Sequence, residues 1–269
     1  MGESIDHTFV ASFAAHADRS RKRDLYCVRL CPTVPARTKI VRYCLTIGLS
    51  GTLKNAPLTQ TGRQAAMSYE EPIDTTGYDY EQWIRFAFDQ PVAAEPWYYT
   101  EAMAFECDPH VVISYYTRLF RSPQVTLSNY DDDRLEQGIW FVVHSQLSEW
   151  LWDDDISVEC RLDCIAAMPT MFREFLIDRP LKDACWMWWD MLRTFDDDPD
   201  PRIVESMVRA LAEVLQLPAR HCQMSALHGL GHLRHREKEE IIRGFVSAGR
   251  DLDAELLEYA ESAIRGTVL

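Results

Sequence analysis

The chain has 269 residues, enough for one large domain or a domain with an appended segment, and its 47% hydrophobic share is well above that of a disordered protein. A net charge of −14 makes nucleic acid a poor partner, because binding phosphates demands a cationic face. No stretch approaches the roughly 20 apolar residues of a membrane-spanning helix, so no membrane role is expected.

The charge is unevenly spread. Residues 1–66 hold 10 Lys/Arg and 4 Asp/Glu, leaving 18 basic and 38 acidic residues, a net −20, for 67–269. Such a break predicts two segments: a basic, poorly ordered extension over 1–66 and an acidic domain over 67–269 that opens near Met67. The extension scatters Pro32, Pro35 and Pro57 and shows little amphipathic rhythm. It reads as upstream sequence from a mis-assigned start or, alternatively, as a docking arm built around Arg19-Ser-Arg-Lys-Arg23. Glu3 and Asp6 spoil a secretory signal, and Asp6 stands where a myristoylation pattern wants Ser or Thr. Cys27, Cys31, Cys44, Cys107, Cys160, Cys164, Cys185 and Cys222 form no paired framework, which fits reduced thiols and a cytoplasmic location.

Periodicity and punctuation place helix after helix. Tyr80 to Phe88 puts Trp83, Ile84 and Phe88 on one face. Asp108-Pro109 caps and opens a helix through Val111, Val112, Tyr115, Tyr116 and Leu119. Asp131-Asp-Asp133 precedes one with Leu135, Ile139, Val142 and Val143 inward. Asp153-Asp-Asp155 introduces a helix from Ile156 that Pro169 is expected to break or kink. Pro180 to Phe195 is aromatic, and Asp196-Asp-Asp198 leads to a helix from Pro201 with an apolar stripe from Ile203 to Leu215. Helices from Pro218, around Ile241–Val246 and from Leu252 to Ile264 complete the run. Strand signals are nearly absent after residue 67, so the class is all-α.

Helix starts near 180, 218 and 252 recur at about 34–38 residues, in or near the range of helical repeats. Asp200-Pro-Arg202 followed by Ala210-Leu211, and above all Ser225-Ala-Leu-His-Gly-Leu-Gly-His-Leu233, resemble HEAT repeats. The likeness covers mainly residues 200–265 and implies an α-α superhelix, a HEAT-like array, but says nothing about activity; it is the stack of helix pairs as such that builds surfaces suited to binding rather than catalysis. It departs from the repeat pattern where Arg202 precedes the aliphatic Ile203, and the aromatic content of 130–195 exceeds what such repeats need.

Three constellations are candidates for function. Trp150, Trp152, Trp188 and Trp189, with the acidic runs Asp153-Asp154-Asp155 and Asp196-Asp197-Asp198, are the candidate partner-binding residues; the competing reading is that most of the rings fill a wide inter-helix core. Adjacent Trp188 and Trp189 point about 100° apart on a helix and are not expected to share one buried face. Each acidic run exceeds what capping needs; the surplus would form a rim for a basic partner, against the simpler account of capping plus solubility. His228 and His232 lie four apart on one helix, a spacing that can share a metal, with His221, Cys222 and His235 nearby. The Glu of a His-Glu-x-x-His motif is replaced by Gly229 and no third ligand is visible, so solvated surface histidines are the simpler expectation and no cofactor is assigned. Cys160 and Cys164 read as core.

The expectation is therefore a non-catalytic protein-binding module that holds another, basic protein, one version being an immunity or antitoxin-like inhibitor of a basic toxin. The alternative is an enzyme on a HEAT-like scaffold: a base-excision glycosylase, for which the charge is wrong, or a metal hydrolase; a third reading is a regulatory scaffold that binds a small ligand in the tryptophan-rich middle. No Gly-rich phosphate loop, nucleophile elbow or Ser-His-Asp order supports catalysis.

Overall fold

The architecture is that of a computed structural model, which describes residues 41–42, 73–93, 96–99, 105–194, 196, 198–248 and 252–268. The expected division at residue 66 falls mostly outside these residues. Among the described residues the chain is mainly helical, as the periodicity predicts, with one small sheet that the sequence did not signal. Strands β1 (Val41–Arg42), β2 (Ile73–Asp74) and β3 (Phe105–Cys107) lie in the order β1-β3-β2, with β1 antiparallel and β2 parallel to β3. Segments of two or three residues are too short to carry an alternating pattern. What fixes β2 is Thr75, whose backbone N–H and Oγ1 both donate to the Glu106 carbonyl at 2.9 and 2.7 Å.

Helix α1 (Tyr80–Phe88) starts at a full capping box between Asp79 and Gln82. Helix α2 (Pro109–Arg121) is capped by Asp108 with Pro109 in its first turn, and α3 (Pro123–Leu127) follows directly. Helix α4 (Asp132–Val142) is capped by Asp131 and runs into a π turn, Val143–Leu147, and then α5 (Ser148–Trp150). Helix α6 (Val158–Glu174) stays helical across Pro169, so the expected break does not occur. Ile165, Met168, Pro169 and Phe172 are all buried there, and packing on α2 on one side and on a later helix on the other holds the chain in register.

Helix α7 (Ala184–Met191) is capped from elsewhere in the chain. Its own N-cap, Asp183, makes no side-chain cap bond. Instead the Glu136 carboxylate of α4 accepts the backbone N–H groups of Lys182, Asp183 and Ala184 at 3.0, 3.0 and 2.9 Å. Helix α8 (Pro201–Leu215) is capped by Asp200, not by the preceding acidic run, and packs on α6. Helices α9 (Arg220–His232), α10 (Lys238–Ser247) and α11 (Ala254–Arg265) close the fold.

Helix α9 is the hub, packed against α7, α8 and α11. Residues 222–231 are buried without a break, so it lacks the single apolar stripe of a surface helix. Glycine makes this approach possible. A Cβ on Gly229 would lie 2.5 Å from Trp189 Cβ and 2.7 Å from Leu211 Cδ2. Glycines 229 and 231, part of the stretch that resembles a repeat helix, thus serve close packing here.

Candidate functional site

The four tryptophans expected to meet a partner do not behave alike. Trp150, Trp188 and Trp189 are 1%, 0% and 3% exposed, which corrects the expectation that they offer a binding face. The 100° offset of Trp188 and Trp189 does not expose either ring, because α7 is covered on both sides. Trp188 meets Phe120 and Phe172 edge-on, while Trp189 stacks on Phe172 and packs against α8 and α9. Trp150 stacks on Tyr116 in the core. Only Trp152 is half-buried, and its Nε1 donates to the Leu192 carbonyl at 2.9 Å.

That hydrogen bond joins the loop of one acidic run to the end of α7, four residues before the other. It ties the 151–157 loop to the segment after α7, so Asp153–Asp155 and Asp196–Asp198 lie on neighbouring loops, Asp197 itself being outside the described residues. Asp153 accepts the Asp155 N–H, and Asp196 accepts the Asp198 N–H; neither caps a helix. Asp154 is 90% exposed yet lies 3.4 Å from the guanidinium of Arg161, which is 3% exposed and also donates to the Leu151 carbonyl. Its negative charge, with that of Glu159, reaches Arg202 at the start of α8. Asp154, Asp155, Asp196 and Asp198 are exposed.

Next to this edge a small cleft is lined by Trp152, Leu192, Arg193, Met207, His232 and Leu233, together with Trp189, Leu211 and Gly229. His232 leads from it into a polar cluster between α7, α9 and α11. The four histidines near α9 are separated by the fold. His221 is bonded to the Leu176 carbonyl at 2.8 Å and His235 approaches Glu205 at 3.2 Å. His228 and His232 instead turn their Nε2 atoms toward each other at 3.3 Å. The expectation of solvated histidines fails, since His228 is 2% exposed.

Asp190, from the last turn of α7, supplies what the sequence did not show. Its Oδ1 lies 3.3 Å from His232 Nε2, and the ligand atoms of Asp190, His228 and His232 all lie within 4.8 Å of one another. No sequence spacing links residue 190 to residue 228; only the packing of α7 on α9 does. His228 Nδ1 is held at 2.6 Å by Tyr259 Oη of α11, and Trp186 covers both rings with centroids 5.0 and 5.2 Å away. Arg193 Nη1 stands 3.3 Å from Asp190 Oδ1 and 3.5 Å from His232 Nδ1.

Burial decides the protonation of this cluster. It pushes His228 down to about 4, helped by the neighbouring His232 and opposed by Asp190. It also lowers His232, against the attraction of Asp190, and raises the Tyr259 phenol. Both imidazoles are therefore neutral near pH 7, the form in which a ring nitrogen can accept a proton or ligate a metal.

No protein-family model, curated protein or solved structure matches the chain. Among the described residues, no helix is long and apolar enough to cross a membrane.

Proposed function

We propose that the chain is a non-catalytic protein-binding module, an acidic helical array of the HEAT-like kind that holds a basic partner protein. An immunity or antitoxin-like inhibitor of a basic toxin is one form this takes. The observation that carries the reading is the acidic edge joined by the Trp152–Leu192 hydrogen bond. Asp154, Asp155, Asp196 and Asp198 are exposed there, and none of them is used as a helix cap. Charge of one sign gathered on neighbouring loops speeds encounter with an oppositely charged surface and selects against like-charged ones. The net −20 of residues 67–269 favours the same kind of partner.

The test is capture from the native cell with the full chain, in parallel with a variant carrying Asp153→Asn, Asp155→Asn, Asp196→Asn and Asp198→Asn. Asparagine keeps the acceptor oxygens of these turns, and Asp154 is spared because it partners Arg161. A basic protein enriched by the native chain, lost with the variant and released by added salt is the expected result. No enrichment over a matched control, or equal retention by the variant, would overturn the reading. A metal hydrolase on the same scaffold is the second reading. It is favoured by the approach of Asp190 to His228 and His232, and it requires an ion to be held there before any chemistry.

A further inference from the structure

We infer that Asp190, His228 and His232 form a site for a divalent transition-metal ion, zinc by preference, built at the junction of α7, α9 and α11. This goes beyond the partner-binding reading and stands independently of it.

The first support is distance. Two ligand atoms about 2.0–2.1 Å from a tetrahedral zinc stand about 3.3 Å apart. That is the separation of His228 Nε2 from His232 Nε2, and again of His232 Nε2 from Asp190 Oδ1. Two of the three edges of the ligand triangle thus have the required length with no ion present. The third lies within 4.8 Å, so a modest turn of the Asp190 side chain closes it.

The second support is the shell around the ligands. Metal-bound imidazoles are held by a hydrogen bond at their other nitrogen, and Tyr259 Oη does this for His228 Nδ1 at 2.6 Å. When Nδ1–H donates to that phenol oxygen, the Nε2 lone pair points into the cluster. Trp186 covers the His228 and Tyr259 rings and excludes water from that side. Asp190 Oδ1 is buried and, although Arg193 and His232 approach it at 3.3 Å, it makes no hydrogen bond of normal geometry. A buried carboxylate oxygen without a hydrogen bond is costly, and an ion at this point would satisfy it.

The donor set selects the ion. Two imidazoles and one carboxylate suit zinc and its first-row neighbours, whereas calcium and magnesium prefer all-oxygen shells. Three protein ligands leave a coordination position open, and the cleft lies on the His232–Arg193 side. Arg193 is the competitor. Its guanidinium must leave the Nδ1 side of His232, and with 38% of its side chain exposed it has solvent to turn into. Without an ion, a single proton shared between the two Nε2 atoms would hold the same rings together. Zinc binding distinguishes these states.

The experiment is titration of the chelator-treated full chain with Zn2+ against a chromophoric competitor, with metal content measured after dialysis. The expected result is one zinc per chain, with affinity falling at least tenfold in Asp190→Asn and in His232→Gln. Both replacements are close in shape, and circular dichroism of the metal-free proteins checks that they fold. Co2+ substitution should give the visible bands of a four-coordinate site in the native chain and lose them in both variants. A folded native chain that binds no zinc, or binding that persists unchanged in both variants, would overturn the site.

Discussion

Glu136 illustrates how one side chain can join two helices. Its carboxylate takes three backbone N–H groups at the start of α7 and the Trp140 indole N–H at 2.9 Å from its own helix. Charge-assisted caps of this kind are stronger than neutral ones, so Glu136→Ala should cost about 2 kcal/mol. That corresponds to a fall of roughly 4–8 °C in Tm for a domain of this size. Asp133→Ala is the control: its ion pair with Lys182 is exposed on both sides and should contribute less than about 1 kcal/mol. Equal losses in the two variants would remove the capping role. His228 makes a prediction of a different kind. Its folded value near 4 lies below the ordinary 6.5, so above pH 6.5 the folded state carries no penalty. As pH falls from about 6.5 to about 4 the unfolded chain takes up the proton first and stability drains away, by up to about 3 kcal/mol. Asp190, Arg193, His232 and Tyr259 surround the ring, and the lowered His232 acts in the same direction. Urea midpoints of the chelator-treated protein from pH 8 to pH 4 should decline, and His228→Gln should flatten the part of the decline above pH 5, where few carboxylates titrate. An unchanged slope in the variant would mean that other groups dominate.

At the scale of the element, helix existence was legible and helix environment was not. The starts at Tyr80, Pro109 and Pro201 coincide with their expected positions because an acidic cap and an apolar stripe mark them together. The expected start at Ile156 lies two residues early, since Ser157 rather than the acidic run precedes α6. The strands escaped notice because they are held by a neighbour's carbonyl rather than by a local pattern. Glycine also has opposite meanings on neighbouring helices. Gly229 faces Trp189 and Leu211, whereas a Cβ on Gly244 of α10 would meet nothing within 4 Å. Gly244→Ala should therefore stabilise the protein by about 0.5–1 kcal/mol through the restricted unfolded chain. Gly229→Ala should destabilise it by about 1–3 kcal/mol or more, because Trp189 Cβ cannot move without moving α7. Denaturant unfolding of the two variants checks both signs, and a stabilised Gly229→Ala would refute the close approach of α7 to α9.

At the scale of the whole molecule, the sequence showed the acidic runs and the histidine pair but not how the fold assembles them. The acidic runs and Trp152 were visible as composition, while the link between them through the Leu192 carbonyl depends on how α7 ends. Likewise the spacing of His228 and His232 was legible, and Asp190 was not, since it enters from another helix. Charge at this scale gives a last prediction. Residues 1–66 carry a local +6 and residues 67–269 carry −20, so the extension partly neutralises the rest of the chain. The described hydrophobic core runs from Tyr80 to Val268, and the described contribution of the extension is the β1 strand on β3. A chain beginning at Met67 should thus remain helical, with a Tm a few degrees lower from the lost strand. Its net charge moves from −14 to −20, and self-repulsion grows with it. Salt near 0.15 M shrinks the screening length to about 8 Å, so raising salt from low values should stabilise the shorter chain more than the full one. Thermal unfolding of both at two salt concentrations reads this difference directly. An equal response to salt would show that the basic extension lies too far from the acidic surface to compensate it, and loss of helicity on truncation would make residues 1–66 part of the fold.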